Sequence, residues 1–313
     1  MKAYLLMEAG DAGQLYLQDV PVPEISAEEV LVAVKAISIN PADVKVRGSA
    51  RGLEQLCGSE RPVILGWDIA GVVMQVGASV SDFQIGDEVF GMVNFPGRGN
   101  AYAEMVAAPA AHLAKIPANI SFEEAAATTL AALTAWQVLA GRIKSDDRVL
   151  IQAGSGGVGH FAIQIAKALG AWVATTASGA NQDFVLEMGA DCAIDYQSHH
   201  FEVELTDIDF VLDGIGGKVL ENSIKVMRKG GEIICLPQSE FSFGLQSAAD
   251  NRQVSLGSIL VTSSGEDMRH LANLLAKGIL KPQVYKTYPF EDLPLAHEEV
   301  EKGRVVGKVI VRL

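Results

Sequence analysis

Residues 29–38 (EVLVAVKAIS) alternate, with Val30, Val32, Val34 and Ala36 on one face, and residues 69–76 (IAGVVMQV) form a second β-rich run before Gly77. The first 120 or so residues follow this texture, with short strands separated by Gly, Pro and Asp. It changes at Ser121. That residue, with Glu123 and Glu124, marks a helix start, and the Ala- and Leu-rich stretch 125–139 predicts one helix. Short apolar runs follow at 148–153 (RVLIQA), 172–176 (WVATT), 209–212 (DFVL) and 232–236 (EIICL), with helical stretches between the first three. This βαβ alternation predicts a parallel sheet covered on both faces. Residues 268–276 read as a helix stopped by Gly278 and Pro282, and 308–311 (KVIV) as a last strand. There is no internal repeat and no low-complexity linker.

A chain of 313 residues implies about two domains, one of which can be discontinuous. Apolar residues make up 49% and charged residues 20%, as in proteins with sizeable cores. The net charge of −13 argues against nucleic acid as a partner. A dinucleotide is still compatible, because backbone N–H groups and a helix terminus hold phosphate without a basic patch. Cys57, Cys192 and Cys235 are too few and too scattered for a disulfide framework or a four-Cys zinc site, which fits a reducing, cytoplasmic compartment. No apolar run approaches 18 residues and no signal segment is evident, so a soluble protein without membrane partners is expected.

Gly154, Gly156 and Gly159 lie in GSGGVG, between the strand RVLIQA and a helix over 158–169 with Val158, Ala162, Ile165 and Leu169 on one stripe. The first glycine permits a tight turn, the second lets backbone approach a pyrophosphate, and the third lets helix and strand pack closely. The alternative is a glycine turn without a ligand. About twenty residues on, an NAD site usually carries an acid for the ribose 2′-hydroxyl. The stretch 174–178 (ATTAS) has none, which favours NADP, with Thr175, Thr176, Ser178 and Asn181 as donors to a 2′-phosphate. Against this, no Lys or Arg occurs between Lys167 and Lys218, and the hydroxyls also read as ordinary strand-end residues.

The segments INPADVKVRG (39–48), GWDIAGVV (66–73), FQIGDEVFG (83–91), AYAEMV, TLAALTAW, QAGSGGVG, LDGIGG and GKVIV together resemble the medium-chain dehydrogenases/reductases of the zinc-free quinone oxidoreductase type. The resemblance covers essentially the whole chain. It implies a Rossmann-type doubly wound parallel sheet over 123–263 and a discontinuous, β-rich GroES-like catalytic domain over 1–122 and 264–313. Zinc-containing members carry a Cys, a Gly-His-Glu and a further Cys, whereas Asn40, Trp67-Asp68 and Leu130 stand in those regions here. By resemblance Asn40 lies in the catalytic pocket, though Asn-Pro-Ala-Asp is also a turn sequence in its own right, and Asp43 reads as structural. The resemblance also implies a cofactor set of Thr134, the turn Gly154, Ser155, Gly156, Gly157, Val158 and Gly159, then Tyr196, Gly214 to Gly217, Pro237 and Gln238. Thr134 reads equally as a helix threonine bonding its own preceding turn. None of the six histidines matches a catalytic role, and most read as surface residues. Tyr102 is a possible proton donor, but loop packing explains it better.

Without a Lewis acid, extracting hydride from an alcohol is hard, whereas reducing an electrophilic quinone or enone needs mainly placement of the hydride. An NADPH-dependent, zinc-independent quinone or enone oxidoreductase is therefore expected. The alternatives are an enoyl thioester reductase and a non-catalytic NADPH-binding sensor or structural protein. Residues 253–261 (QVSLGSILV), uncharged and β-rich, read as an edge strand through which a homodimer would form.

Overall fold

In the computed structural model, which describes residues 1–313, the chain forms two compact units. The first comprises residues 1–133, 261–278 and 282–313, and the second residues 134–260 and 279–281. The division falls eleven residues later than the 122/123 boundary that the resemblance implies. Helix Phe122–Ala127 packs its buried Ala125, Ala126 and Ala127 toward strands of the first unit, and so belongs with it.

The alternating run at 29–38 becomes strand Glu29–Ile39, the central member of a sheet ordered Val284–Pro289, Lys308–Arg312, Glu29–Ile39, Asp68–Val76, Glu88–Met92, Leu113–Lys115. Met105–Pro109 pairs with the other end of the same central strand. Val30, Val32, Val34 and Ala36 are all buried, each valine contributing up to about 1.5–3 kcal/mol by leaving water. The register gathers polar residues at one place. Val309 is opposite Ile39, and Asp68 is opposite Ser38, so Lys308, Asn40 and Asp68 arrive at one end of three adjacent strands. A smaller sheet, Leu15–Asp19, Lys2–Leu6 and Val63–Ile64, completes the strands of this unit.

The second unit is a six-stranded, all-parallel sheet ordered Cys192–Asp195, Trp172–Ala177, Arg148–Ile151, Ile208–Asp213, Met227–Cys235, Ser255–Gly257. The glycine turn follows the third strand in this order, and helix Gly159–Ala168 leaves it with Ala162 and Ile165 buried. Leu150, Val211, Ile233, Leu220 and Ile224 form part of the core on one side.

Two expectations are corrected. The single helix over 125–139 is two, Phe122–Ala127 and Leu130–Leu139. The hydroxyls of Thr128 and Thr129 bond back to the carbonyls of Glu124 and Ala126, and the Asp68 carboxylate accepts from the Leu130 N–H at 3.0 Å, capping the second helix from a distant strand. The edge run at 253–261 is shorter than its composition suggests. Only Ser255–Gly257 is strand, and the residues from Ser258 to Ser264 are irregular. No helix is long and apolar enough to cross a membrane.

Candidate active site

The converging strand ends of the first unit bury a polar knot. The Lys308 ammonium donates to the Asn40 side-chain oxygen and to the Ile39 carbonyl at 3.2 Å. The Asn40 amide nitrogen donates to Asp68 at 2.7 Å, while Asp43 accepts from the Asn40 backbone N–H at 2.6 Å and so caps helix Pro41–Arg47. Asn40, Asp43, Asp68 and Lys308 are all buried, none more than 3% exposed. Burial drives each ionisable member toward its neutral form. It raises both carboxyls, Asp43 further through the like charge of Asp68, and lowers the Lys308 ammonium, while attraction between Lys308 and the carboxylates works the other way. A second buried run adjoins it: the Tyr102 hydroxyl meets His297 Nε2 at 2.8 Å, and His297 Nδ1 meets Arg47 at 3.1 Å. Arg47 also pairs with Glu301.

Asn40 thus has both ends of its amide engaged within the protein, and its placement favours orienting the chain at Asn40-Pro41 over reaching a substrate. Asp43 caps the helix that follows Asn40 through its Oδ2. Tyr102 is wholly buried, and burial raises its hydroxyl well above the usual phenol range, making it a poor proton donor. The expectation that most histidines lie at the surface is corrected. His199, His200 and His270 are exposed, but His160 and His297 are fully buried and His112 is half-buried. Burial pushes His297 down to about 3, so its ring is neutral and serves as a hydrogen-bond bridge.

A divalent zinc does not fit the former ligand positions. Leu130 has no donor, Trp67 Nε1 donates to the Gly97 carbonyl at 2.7 Å, and the Asp68 oxygens are taken by Asn40 and Leu130.

The glycine turn of the second unit does fit a dinucleotide. Ala153 enters it with φ 58°, a left-handed conformation for a non-glycine residue. A Cβ on Gly154 would stand 2.0 Å from Thr175 Oγ1, and one on Gly159 would stand 2.2 Å from the Ala153 carbonyl oxygen. Those two glycines are demanded by the fold. At Gly156 the only near atom is the Ala153 oxygen, 3.2 Å away, so the fold leaves the space where a pyrophosphate would approach. The helix beyond has no acid in its first turn and no side-chain cap at Val158. His160 Nδ1 lies 2.8 Å from the Gly156 carbonyl and braces the turn.

Thr176 is part of that bracing and not of a phosphate site. Its hydroxyl donates to Gln152 at 2.6 Å and accepts from the Ala153 N–H at 3.2 Å, and the Thr175 hydroxyl donates to the Ile151 carbonyl. Neither proton is left for a 2′-phosphate. Ser178 and Asn181 lie further out, with Asn181 Nδ2 donating to Ser155 Oγ at 3.3 Å. Tyr196 is exposed at the end of the neighbouring strand. At the next strand ends, Gly214 is exposed and Gly216 sits against Pro237 and Gln238, so these predicted positions come together. Asp213 organises this turn, accepting from the N–H groups of Ile215 and Gly216 at 2.7 and 2.9 Å. Thr134 is buried on helix Leu130–Leu139. Lys308, Gln152 and His160 escaped the sequence reading. Only Gln152 and His160 carried a signal, by flanking the glycine turn.

Comparison with known proteins finds relatives along the whole chain. Residues 26–118 match the alcohol dehydrogenase GroES-like domain, and residues 188–311 match a family described as zinc-binding dehydrogenase. The 2-methylene-furan-3-one reductase of Solanum lycopersicum is 34% identical over 323 residues, covering 99% of this chain and 79% of the relative. The chloroplastic NADPH-dependent alkenal/one oxidoreductase of Arabidopsis thaliana is 33% identical over 322 residues, with the same coverage. Among solved structures, the quinone oxidoreductase of Coxiella burnetii superposes with a TM-score of 0.92 at 33% identity, over 100% of this chain and 99% of the other. Similarity of this extent, through both units, means that the chain belongs to the quinone and enone oxidoreductase branch of the medium-chain dehydrogenase/reductase superfamily.

Proposed function

We propose that the protein is an NADPH-dependent oxidoreductase that delivers hydride to a quinone or an α,β-unsaturated carbonyl without zinc. The observation that carries this reading is the cradle at Gly156, open on the side where the fold itself has no use for the space. The relatives named for alkenal/one and quinone reduction support the acceptor class. A bound dihydronicotinamide would supply the hydride. Gly154 to Gly159 would hold its pyrophosphate, and Gly214, Pro237 and Gln238 would lie along it at the strand ends. Asn40, locked by Lys308 and Asp68, acts as a positioning residue for the turn after the central strand. Tyr102 and His297 are engaged with each other in the interior, and protonation of the reduced acceptor falls to water.

Steady-state NADPH oxidation against a panel of quinones, enones and enoyl thioesters tests the reading. Turnover with quinones or enones, unaffected by chelator and with no stoichiometric zinc by elemental analysis, is expected. One zinc per chain with activity lost to chelator would overturn the metal-free mechanism. NADPH binding without turnover of any acceptor would leave the sensor reading in place.

We further propose that the chain is a homodimer joined at the Ser255–Gly257 edge of the parallel sheet, with Leu256 near the twofold axis. Support comes from the position of this strand at the end of the sheet, uncharged and with its outer row of backbone groups unpaired by any other strand. Light scattering is expected to give a dimer mass at micromolar concentration and a monomer mass for Leu256→Arg. A monomer in the parent protein would refute the proposal.

A further inference from the structure

The acid missing from the stretch 174–178 arrives from the adjacent strand. In the parallel pairing Ala177 is the partner of Asp195, so Asp195 closes Cys192–Asp195 at the level where Trp172–Ala177 ends. Its carboxylate lies beside Gly179, with Oδ2 3.0 Å from the point where a Cβ on Gly179 would stand. The Gln197 N–H donates to Oδ1 at 3.1 Å and the Ser198 hydroxyl to Oδ2 at 2.9 Å. These bonds, with the Gly179 N–H and the nearby His199, hold the carboxyl below its usual range, so it is ionised at neutral pH.

The same segment is continuous with the glycine turn. Asn181 bonds Ser155, and the Gly154 N–H donates to the Thr176 carbonyl at 2.9 Å. No Lys or Arg lies between Lys167 and Lys218, and Lys167 itself is paired with Asp191 at 2.7 Å. The rim where an adenosine ribose would rest beside the turn therefore carries a fixed negative charge and no lysine or arginine of its own sequence neighbourhood.

We propose that Asp195 is a coenzyme specificity-determining residue: its carboxylate accepts the ribose 2′-hydroxyl of NADH and repels the 2′-phosphate of NADPH, holding the preference for NADPH below about tenfold. This rests on the reading that a nicotinamide dinucleotide occupies the glycine turn. In other dinucleotide folds the acid stands about twenty residues after the turn, on the strand next in sequence. Here it stands one strand further along the sheet and reaches back across Gly179.

Calorimetric titration of the full chain with adenosine 2′,5′-bisphosphate and with 5′-AMP tests the assignment in the absence of turnover. Asp195→Asn keeps an oxygen for the Gln197 N–H while removing the charge, and Asp195→Ser removes it with a different side chain. Both variants are expected to bind the bisphosphate about tenfold more tightly, and 5′-AMP within about threefold of the parent. The ratio of kcat/KM for NADPH over NADH should rise by the same factor. Bisphosphate affinity unchanged within about twofold, or the two nucleotides moving together in both variants, would overturn the assignment. Failure of the parent chain to bind either nucleotide or NADPH would overturn the coenzyme reading itself, a result distinct from the first.

Discussion

Lys308→Met is expected to destabilise the first unit by about 3–5 kcal/mol, the cost of taking the one cation out of a buried, mutually attracting set of charges and leaving the carboxylates uncompensated. In the native protein the ammonium, 3% exposed, supplies the Asn40 side-chain oxygen and the Ile39 carbonyl, and it balances Asp68 in the same knot. Met fills the space of the aliphatic stem but donates nothing. Asp68 would keep its bonds from Asn40 and Leu130 while losing its counter-charge. The second substitution, Asp68→Asn in the Lys308→Met background, removes that stranded charge and should recover part of the loss. Urea unfolding monitored by circular dichroism measures both. A loss below about 1 kcal/mol for Lys308→Met, or a double variant whose loss equals or exceeds the sum of those of Lys308→Met and Asp68→Asn alone, would show that the knot carries no stabilising charge coupling.

This knot also marks where sequence reading stops. KVIV at 308–311 reads as a strand, and strand it is, but alternation gives no reason for its lysine to point inward. The reason is three-dimensional: Asn40 and Asp68 reach the same sheet end only through pairings between residues 28 to 268 positions apart. The break between the helices Phe122–Ala127 and Leu130–Leu139 was hidden for the same cause, since the residue that caps Leu130 is Asp68. The glycine turn was legible because everything it needs lies within about twenty residues: strand, three glycines, helix. Asp195 escaped because its strand, CAID, is four residues long with little apolar contrast, and because an acid sought along the chain came instead from across the sheet. The parallel sheet itself was readable, since its central strands are apolar runs buried on both faces.

The glycines of the turn make the second large expected effect, and they separate folding from binding. Gly159→Ala forces a methyl to within 2.2 Å of a backbone oxygen and 2.8 Å of Gly154 Cα, and no flexible side chain can yield there. The turn itself has to open, at a cost of about 3 kcal/mol, the upper range for overpacking, and the melting temperature should fall. Gly156→Ala meets only the Ala153 oxygen at 3.2 Å and sits at a backbone φ outside the left-handed region. Its stability should stay within about 1 kcal/mol of the parent, because alanine also restricts the unfolded chain. The methyl nevertheless fills the approach to the pyrophosphate, so NADPH affinity should drop at least about 100-fold, or about 2.7 kcal/mol. Thermal melting and fluorescence titration with NADPH, run side by side, read the two effects independently. A Gly156→Ala protein that melts normally and binds NADPH as the parent does would mean that the pyrophosphate does not rest on this turn, whereas unchanged melting of Gly159→Ala would mean that the close approach of helix and strand is looser than 2.2 Å implies. The contrast is the informative result, because one and the same substitution, made three residues apart in a single short turn, is expected to weaken the ligand's binding at Gly156 and the fold at Gly159.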